Sequence, residues 1–474
     1  MADDKPSIGE FGASFKGFLD RITAEEGERE PPLAKRLREH LGAPVTDSPV
    51  VEQKFNWADR PNLQTAIDTY LAANSRSHEL IGVSAGQGRL MGLRLVDLLT
   101  SGSGLMGQPP TSIGPVQYVN VSLADGESLA CVQCGLYLIS DGDQRFAALV
   151  SGGRDFGFSG KELKIEIMAP ARGDAERFIR EIRTLMRQKN VYRGRIISLR
   201  LSEDRTLQVD FHPLPAIERE GIILPSGVLD RIERNAVRFS EHRGKLRAAG
   251  QHLKRGLLLH GQPGTGKTLT AMYLTGRLNE RTTLLVTGRG HGLIESTCSL
   301  ARWLEPSTVI LEDVDLIGEE RTHQNQSCNT LLFELLNQMD GLSDDVDILF
   351  ILTTNRPDIL EPALAARPGR IDQAIEIPLP DADCRRRLLT LYSRGLTLQL
   401  NSVDRIIDRT EGVSAAFIRE LVRKSSLIAV DNTGVVVVQE EHFDEAIREL
   451  VVEGGVLTKS LLGARAIVGD AATT

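Results

Sequence analysis

The octapeptide GQPGTGKT, residues 261–268, constrains the fold of this chain more than any other stretch of its sequence. It fits the pattern G-x-x-x-x-G-K-[ST] and lies between an apolar run, Leu257 to His260, and a segment of helical periodicity. Glycines let such a loop curl so that successive backbone N–H groups face one anion, and the positive end of the following helix adds to the attraction. The octapeptide therefore predicts a phosphate-binding loop between a strand and a helix.

Two residues of this loop have chemical roles of their own. Lys267 supplies positive charge to the terminal phosphates of a nucleotide, and Thr268 offers its hydroxyl to a Mg²⁺ ion held by the same phosphates. The full set of candidate binding residues is Gly261, Gln262, Pro263, Gly264, Thr265, Gly266, Lys267 and Thr268.

A cluster of acidic residues follows the second strand-like run after the phosphate loop. The segment PSTVILEDVD leads from a strand-like run into Glu312, Asp313 and Asp315. Two carboxylates at the carboxyl end of a strand, beside a phosphate loop, are placed to hold Mg²⁺ through water and to orient an attacking water. We therefore predict that this strand end lies next to the loop.

A third segment, TTNRPDILEPALAARPGRID at residues 353–372, completes an ordered series of motifs. Phosphate loop, acidic strand and this segment, in that order, resemble the AAA clade of the AAA+ ATPases over roughly residues 224–452. The resemblance implies an α/β fold in which a P-loop AAA+ parallel sheet carries a helical lid subdomain, here preceded by an α+β N-terminal domain. It also implies a Mg-dependent ATP hydrolase, with ATP and Mg²⁺ as its ligands.

The family pattern assigns a role to each matching residue. Glu312 stands in the metal position and Asp313 in that of the catalytic base, where the family usually has Asp-Glu, so the base is one methylene shorter. Asn355 matches the sensor 1 residue, which hydrogen-bonds the γ-phosphate or the attacking water. Arg367 and Arg370 match the arginine fingers that reach the nucleotide of a neighbouring subunit. The resemblance therefore implies an active site shared between subunits.

Two further segments match the family less closely. Asp340-Gly341-Leu342 resembles the intersubunit signalling motif, with Leu where Phe is usual. The segment GVSAAFIREL, residues 412–421, resembles the sensor 2 region of the lid, but no arginine occupies the sensor 2 column. Arg419 on the same predicted helix has two interpretations, a solvated lid residue or a residue that approaches the nucleotide.

The loop that carries a gripping aromatic residue in the family's unfoldases has no aromatic residue here. The corresponding segment reads TGRGHGLIEST, residues 287–297. Either Leu293 and Ile294 grip a polypeptide in place of the aromatic side chain, or the protein threads no chain at all. Both alternatives stay open at this point.

Length and pattern divide the chain into several domains. At 474 residues it exceeds what one hydrophobic core covers. Strand-like runs between Val116 and Phe211, among them RIISLRL and LQVDF, with helices predicted at 62–73 and 174–189, indicate an α+β region. One short helix is predicted at 33–41, within a loosely ordered start. The proline-rich stretch HPLPAIEREGIILPSG, residues 212–227, is interpreted as a linker, and helical periodicity after Pro380 indicates a lid. The predicted division is a loosely ordered N-terminal segment (1–60), an α+β partner-recognition domain (61–215), a large α/β ATPase subdomain (216–380), a small helical lid (381–455) and a flexible tail (456–474).

The charge balance excludes some classes of partner. The 56 Lys and Arg against 64 Asp and Glu give a net charge of −8, so no global basic field favours nucleic acid or anionic lipid. The chain has no run of the roughly 18 apolar residues that a membrane-spanning helix needs. The start MADDKPS has no secretory pattern, and the odd number of cysteines, 5, does not suit a disulfide framework. We expect a cytoplasmic protein.

These features combine into one leading hypothesis. It is a homo-oligomeric ring, hexameric by the resemblance, whose N-terminal domain selects an unknown protein substrate that ATP turnover remodels or moves. Two alternatives stay open. The Glu312-Asp313 order could make hydrolysis so slow that ATP only fixes assembly, as in a binding switch. The other is a nucleic-acid remodeller, against which the acidic balance and the lack of a basic, aromatic-interleaved stretch argue.

Overall fold

The protein folds into two compact units, seen in a computed structural model. One unit lies within residues 1–191 and 200–209, and the other within 192–199 and 210–474. The residues that the structure describes are 31–73, 75–84, 93–99, 112–154, 161–203, 206–213, 216–286, 293–315, 335–339, 346–358, 371–433 and 436–450.

An antiparallel sheet forms the centre of the first unit. Its strands are β1 (Val50–Asn56), β2 (Arg76–Ser84), β3 (Ser112–Gly114), β4 (Gln117–Ser122), β5 (Ser128–Asp141), β6 (Gln144–Arg154) and β7 (Lys161–Met168). They lie in the order β1-β7-β6-β5-β2-β3, with β4 paired to β5. Neighbouring strands of this sheet pair antiparallel, which permits short hairpin connections such as that between β5 and β6.

Three helices accompany this sheet: α1 (Pro32–Leu41), α2 (Arg60–Leu71) and α3 (Arg172–Gln188). They confirm the helices predicted from apolar periodicity. Helix α1 buries Leu33, Leu37 and Leu41 in one cluster with strand residues, because these positions share one helical face. The expectation of loose order up to residue 60, with one short helix at 33–41, is met by α1 but not by β1, which pairs with β7 along its whole length. Residues 1–30 lie outside the described part.

A mainly parallel sheet forms the centre of the second unit. Its strands are β8 (Ile196–Leu201), β9 (Leu207–His212), β10 (Arg255–His260), β11 (Thr282–Val286), β12 (Ser307–Leu311), β13 (Ile348–Thr354) and β14 (Gln373–Glu376). Residues 200–209, at the end of β8 and the start of β9, belong to the first unit. They lie in the order β14-β10-β13-β12-β11-β8-β9. All pairs from β14 to β8 are parallel. Strands β12 and β13 are buried along their whole length, as expected for a sheet covered on both faces.

Two strands at the edge of this sheet come from the region that the sequence predicted as N-terminal α+β. The runs RIISLRL and LQVDF form β8 and β9, and β8 pairs in parallel with β11. Thr283 N–H donates to the carbonyl oxygen of Arg195 at 2.9 Å, just before β8 begins. The local pattern was sufficient to predict the strands but not their partner, since strand pairing depends on residues distant in sequence.

Helices cover the parallel sheet and form the lid. The first group comprises α4 (Val228–Glu233), which continues through a π-helical turn (Arg234–Arg238) into α5 (Phe239–Glu241), then α6 (Arg243–Ala248), α7 (Lys267–Arg277) and α8 (Ile294–Trp303). The lid comprises α9 (Ala382–Tyr392), α10 (Val403–Arg409), α11 (Ala415–Thr433) and α12 (Glu440–Arg448), with a parallel pair, β15 (Thr397–Gln399) and β16 (Val437–Gln439). The lid has its own core, which includes Phe417 and Phe443.

None of the described helices combines the length and the apolar character that a membrane-spanning helix needs.

One buried ion pair, with the hydrogen bonds of its guanidinium group, fixes the start of three central strands. Arg281, before β11, has a side chain only 2% exposed, and its Nη1 lies 2.7 Å from Oδ1 of Asp347, before β13. Its Nη2 donates to the carbonyl oxygens of Ser307 and Asp347 at 2.7 and 3.0 Å. One guanidinium thus ties together the beginnings of β11, β12 and β13.

We predict that Asp347→Asn destabilises the second unit by about 3–5 kcal/mol, because it leaves the Arg281 charge buried without its counter-ion. Urea unfolding followed by circular dichroism measures the change. Glu280→Gln is the matched control, since Glu280 is 73% exposed and pairs with Arg243 at the surface; it should cost less than about 1 kcal/mol. Equal losses in the two variants would contradict the assignment.

Candidate active site

The phosphate loop follows β10 directly, as predicted. Gly261 has φ 151°, and a Cβ atom there would lie 2.2 Å from the carbonyl oxygen of Ile377. Gly264 has φ 77°, and a Cβ atom there would lie 2.7 Å from Oγ of Ser414 in the lid. Only glycine allows this backbone conformation without strain at so close an approach. The loop therefore packs against Ile377, the residue that follows β14, and against the lid.

Lys267 begins α7 with its side chain inside the loop. It is 5% exposed, and its ammonium donates to the carbonyl oxygens of Gly261 and Gln262, both at 2.9 Å. Burial lowers the pKa of Lys267, and the carboxylates of Asp313 and Asp315 oppose that shift. The sequence prediction that a cation lies in this loop is consistent with this geometry.

Glu312, at the end of β12, lies beside the hydroxyl of Thr268. Burial raises the pKa of the Glu312 carboxyl, as does the nearby charge of Asp313, while a hydrogen bond with the Thr268 side chain lowers it. Its Oε1 is buried and has no hydrogen-bond partner among the described residues. A buried carboxylate oxygen without a partner, next to a threonine hydroxyl, suits the hard oxygen coordination that Mg²⁺ requires. The two residues predicted to serve the metal thus fit that ion.

Asp313 and Asn355 are brought into contact by the neighbouring strands β12 and β13. Asn355 Nδ2 donates to Asp313 Oδ1 at 3.2 Å. Asp315, whose role the sequence left open, accepts from Thr354 Oγ1 at 2.9 Å and from the Asn355 backbone N–H at 3.1 Å. It is 7% exposed. Asp315 therefore holds the end of β13 in place, and with it the Asn355 side chain.

The phosphate loop and the Asp313–Asn355 contact lie at one cavity of about 540 Å³. Lys267, Thr268, Asp313 and Asn355 border it together with most of the phosphate loop. Arg419 also borders the cavity although its side chain is exposed, so both interpretations of this lid residue describe part of its position.

Two further walls of the cavity were missed by motif analysis. Residues 221–224 border it from the segment that the sequence marked only as a linker, and Leu388 and Tyr392 border it from lid helix α9. The apolar triplet Ile222-Ile223-Leu224 is buried; its occurrence inside a proline-rich linker was the signal available in the sequence. An apolar wall opposite a phosphate loop suits the flat face of a nucleotide base.

An ion-pair clamp holds the linker wall against α4 and α7. Arg219 Nη2 donates to Asp230 Oδ1 at 2.7 Å, and Arg219 Nε donates to Glu233 Oε1 at 3.1 Å. The Tyr273 hydroxyl of α7 donates to the same Glu233 carboxylate. Burial alone would raise the pKa of Glu233, but the hydrogen bonds from Arg219 and Tyr273 lower it. The clamp thus joins the linker wall to the helix that begins at Lys267.

Several predicted site residues lie outside the described residues. They are Arg367 and Arg370, the segment Asp340-Gly341-Leu342, and the loop residues 287–292. Leu293 and Ile294 are described, with exposures of 8% and 1%. Their burial argues against the alternative in which these two side chains grip a polypeptide.

Comparison with known proteins agrees with this site. Residues 257–379 match the family model of the ATPase family associated with various cellular activities (AAA). The proteasome-activating nucleotidase of Pyrococcus horikoshii is 34% identical over 199 residues, which cover 40% of this chain and 50% of that protein. The 26S proteasome regulatory subunit 10B homolog A of Arabidopsis thaliana is 32% identical over 209 residues, covering 41% and 52%. The ATP-dependent zinc metalloprotease FtsH of Mycoplasmopsis pulmonis is 34% identical over 216 residues, covering 43% and 30%.

Residues 257–379 therefore carry an AAA domain, the domain of the ATPase family associated with various cellular activities. The predicted fold class, a P-loop AAA+ sheet with a helical lid after an α+β N-terminal region, is confirmed. The matched part spans about half the length of the proteasome-related relatives.

We predict that Arg219→Ala weakens ATP binding by about three- to tenfold, because removing the clamp frees the linker wall of the cavity. Titration with a fluorescent ATP analogue measures the dissociation constant. Arg386→Ala is the control: Arg386 forms an exposed ion pair with Asp404 in the lid, and its loss should leave affinity unchanged. If both variants bind as the parent protein does, the clamp has no role in binding.

Proposed function

We propose that this protein binds ATP with Mg²⁺ and hydrolyses it in the cavity between the phosphate loop, β12, β13 and the lid. The observation that carries the proposal is the contact between Asp313 and Asn355, 3.2 Å apart at the wall of the cavity that Lys267 also borders. An acid and an amide next to a phosphate loop are the groups that orient a water for attack on a terminal phosphate.

Each residue then has a defined task. The loop N–H groups and the Lys267 ammonium bind the β- and γ-phosphates, and Thr268 with Glu312 would hold the metal. Mg²⁺, when bound, neutralises phosphate charge. Asp313 accepts a proton from the attacking water, while Asn355 fixes the direction of the Asp313 carboxylate. The linker residues Ile222 and Ile223 exclude water around the base.

The backbone of Ile223 supports adenine as the base. Its N–H and C=O form no hydrogen bond with the described backbone, although the residue is 9% exposed. A free donor and acceptor on one residue match the acceptor N1 and the donor N6 amino group of adenine.

The assembly that we propose is a homo-oligomeric ring, hexameric by family resemblance, in which Arg367 and Arg370 of one subunit reach the nucleotide of the next. A guanidinium beside the transferring phosphoryl group stabilises its transition state. We further propose that the N-terminal unit selects a protein substrate, in line with relatives whose names refer to the proteasome, and that the protein acts in the cytoplasm.

A binding switch remains the second candidate function, and the Glu312-Asp313 order favours it. A shorter base reaches less far toward the γ-phosphate than the usual Glu does. In that case ATP would stay bound and fix the assembly without rapid turnover. Steady-state turnover separates the two candidates, since a rate equal to that of Asp313→Asn with ATP retained supports the switch.

We predict that Lys267→Ala lowers ATP affinity at least about a hundredfold, because it removes the buried counter-charge of the phosphates. Isothermal titration calorimetry with Mg-ATP measures this loss. Lys245→Ala is the control, since Lys245 is exposed on α6. Unchanged affinity in the Lys267 variant would refute the phosphate-loop assignment.

We predict that the double variant Arg367→Ala, Arg370→Ala binds ATP nearly as the parent does but hydrolyses it about a thousandfold more slowly. The shared site is tested by mixing this variant with Asp313→Asn subunits. Mixed rings contain some sites with Asp313 on one side and both arginines on the other, so part of the ATPase rate should return. If mixing restores no activity while the subunits exchange, the arginines do not act across an interface.

A further inference from the structure

The backbone at Asp313 adopts a conformation that few residues with a side chain adopt. Its φ is 48°, and Asp125, with φ 60°, is the only other non-glycine residue of positive φ among the described residues. In the left-handed region Cβ crowds the following carbonyl oxygen, and Asp and Asn tolerate this better than longer side chains do. Asp313 is also where the sequence departs from the usual Asp-Glu order. The unusual residue and the unusual conformation thus coincide.

A single residue of the adjacent strand holds this turn on both sides. Asp313 N–H donates to Oγ1 of Thr353 at 3.0 Å, and Val314 N–H donates to the carbonyl oxygen of the same Thr353 at 3.0 Å. Thr353 has no exposed surface and lies in β13. The preceding residue, Glu312, still donates its N–H to Val286 of β11. The chain therefore leaves the sheet at Asp313, at a point set by Thr353.

The direction of the Asp313 side chain follows from this turn. Its Oδ1 meets Asn355 Nδ2 at 3.2 Å, and Asn355 is two residues beyond Thr353 on the same strand. Thr353 therefore fixes both partners of this contact, one through its own hydrogen bonds and the other through the backbone of β13. A shift of the turn would move the Asp313 carboxylate away from the amide.

We propose that Thr353 is a positioning residue for the water-activating acid Asp313. The left-handed turn that Thr353 holds at position 313 makes Asp, rather than Glu, the residue that fits there. This inference rests on the hydrolytic function proposed above. The Glu-Asp order is then an adaptation to the turn rather than a loss of catalytic competence. The shorter side chain suits a backbone that has already turned toward Asn355.

The first test is Thr353→Val, which keeps the volume and removes the hydroxyl. We expect kcat for ATP to fall about ten- to a hundredfold, because the acid loses its direction, while KM and the ATP dissociation constant stay within about twofold. Thr353→Ser keeps the hydroxyl and should restore most of kcat. Thr410→Val is the matched control: Thr410 is a buried lid threonine whose hydroxyl bonds a backbone carbonyl, and its replacement should not change kcat.

The second test exchanges the acids, Glu312→Asp together with Asp313→Glu, and so restores the order usual in the family. We expect kcat to fall about tenfold or more, since Glu is strained in the left-handed region and its longer side chain overshoots the amide. This variant decides the matter if Thr353→Val does not fold. A kcat equal to or above that of the parent overturns the inference.

The outcomes separate this inference from the proposed function. A parent protein that binds ATP but turns it over no faster than Asp313→Asn defeats the hydrolytic function, before any threonine variant is considered. An active parent whose Thr353→Val variant keeps its kcat overturns the positioning role alone. A variant that loses ATP affinity along with kcat also overturns it, because Thr353 would then support the whole site rather than the acid.

Discussion

Parallel pairing of β10, β12 and β13 is the constraint on which the site depends. In the register, His260 of β10 lies opposite Thr354 of β13, and Leu311 of β12 lies opposite Leu352. The phosphate loop, the acidic pair and Asn355 each begin where one of these strands ends. Parallel strands present their carboxyl ends at one edge, so residues far apart in sequence meet in one cavity. The Arg281–Asp347 pair fixes the opposite ends of β12 and β13, together with that of β11.

The lid completes the cavity by a direct contact with the phosphate loop. Ala416 N–H donates to the carbonyl oxygen of Gly264 at 3.1 Å, and Ser414 lies so close to Gly264 that no side chain fits there. A change in the loop conformation therefore alters the contacts at the start of α11. Because α11 packs in the lid core through Phe417, such a change acts on the lid as a body. This contact is a physical route from nucleotide state to lid position.

Local motifs predicted which residues come together in the site better than they predicted the strand pairing and side-chain contacts that position those residues. The sequence was sufficient to predict that the loop of residues 261–268 follows a strand and that the acidic residues after β12 lie near it, because such motifs depend on residue type at fixed spacing. The catalytic roles of these residues stay predictions. The sequence did not predict that β8 joins the edge of the ATPase sheet, since pairing is set by distant residues. Nor did it predict the linker wall or the left-handed Asp313. Both depend on side chains such as Arg219 and Thr353 that approach from other elements and belong to no motif.

The charges of the described site indicate that a bound triphosphate needs additional cations beside it. Asp313 borders the cavity together with the cations Lys267 and Arg419, and the neighbouring carboxylates of Glu312 and Asp315 leave negative charge in surplus over these two cations. The charge of Asp313 is one reason that the pKa of Glu312 is raised. A triphosphate adds several negative charges to this surplus. Such a charge is stable in a partly buried site only with further cations. The divalent metal that Thr268 and Glu312 fit supplies part of the balance, and arginines from a neighbouring subunit would supply the rest at the phosphate where negative charge develops during transfer.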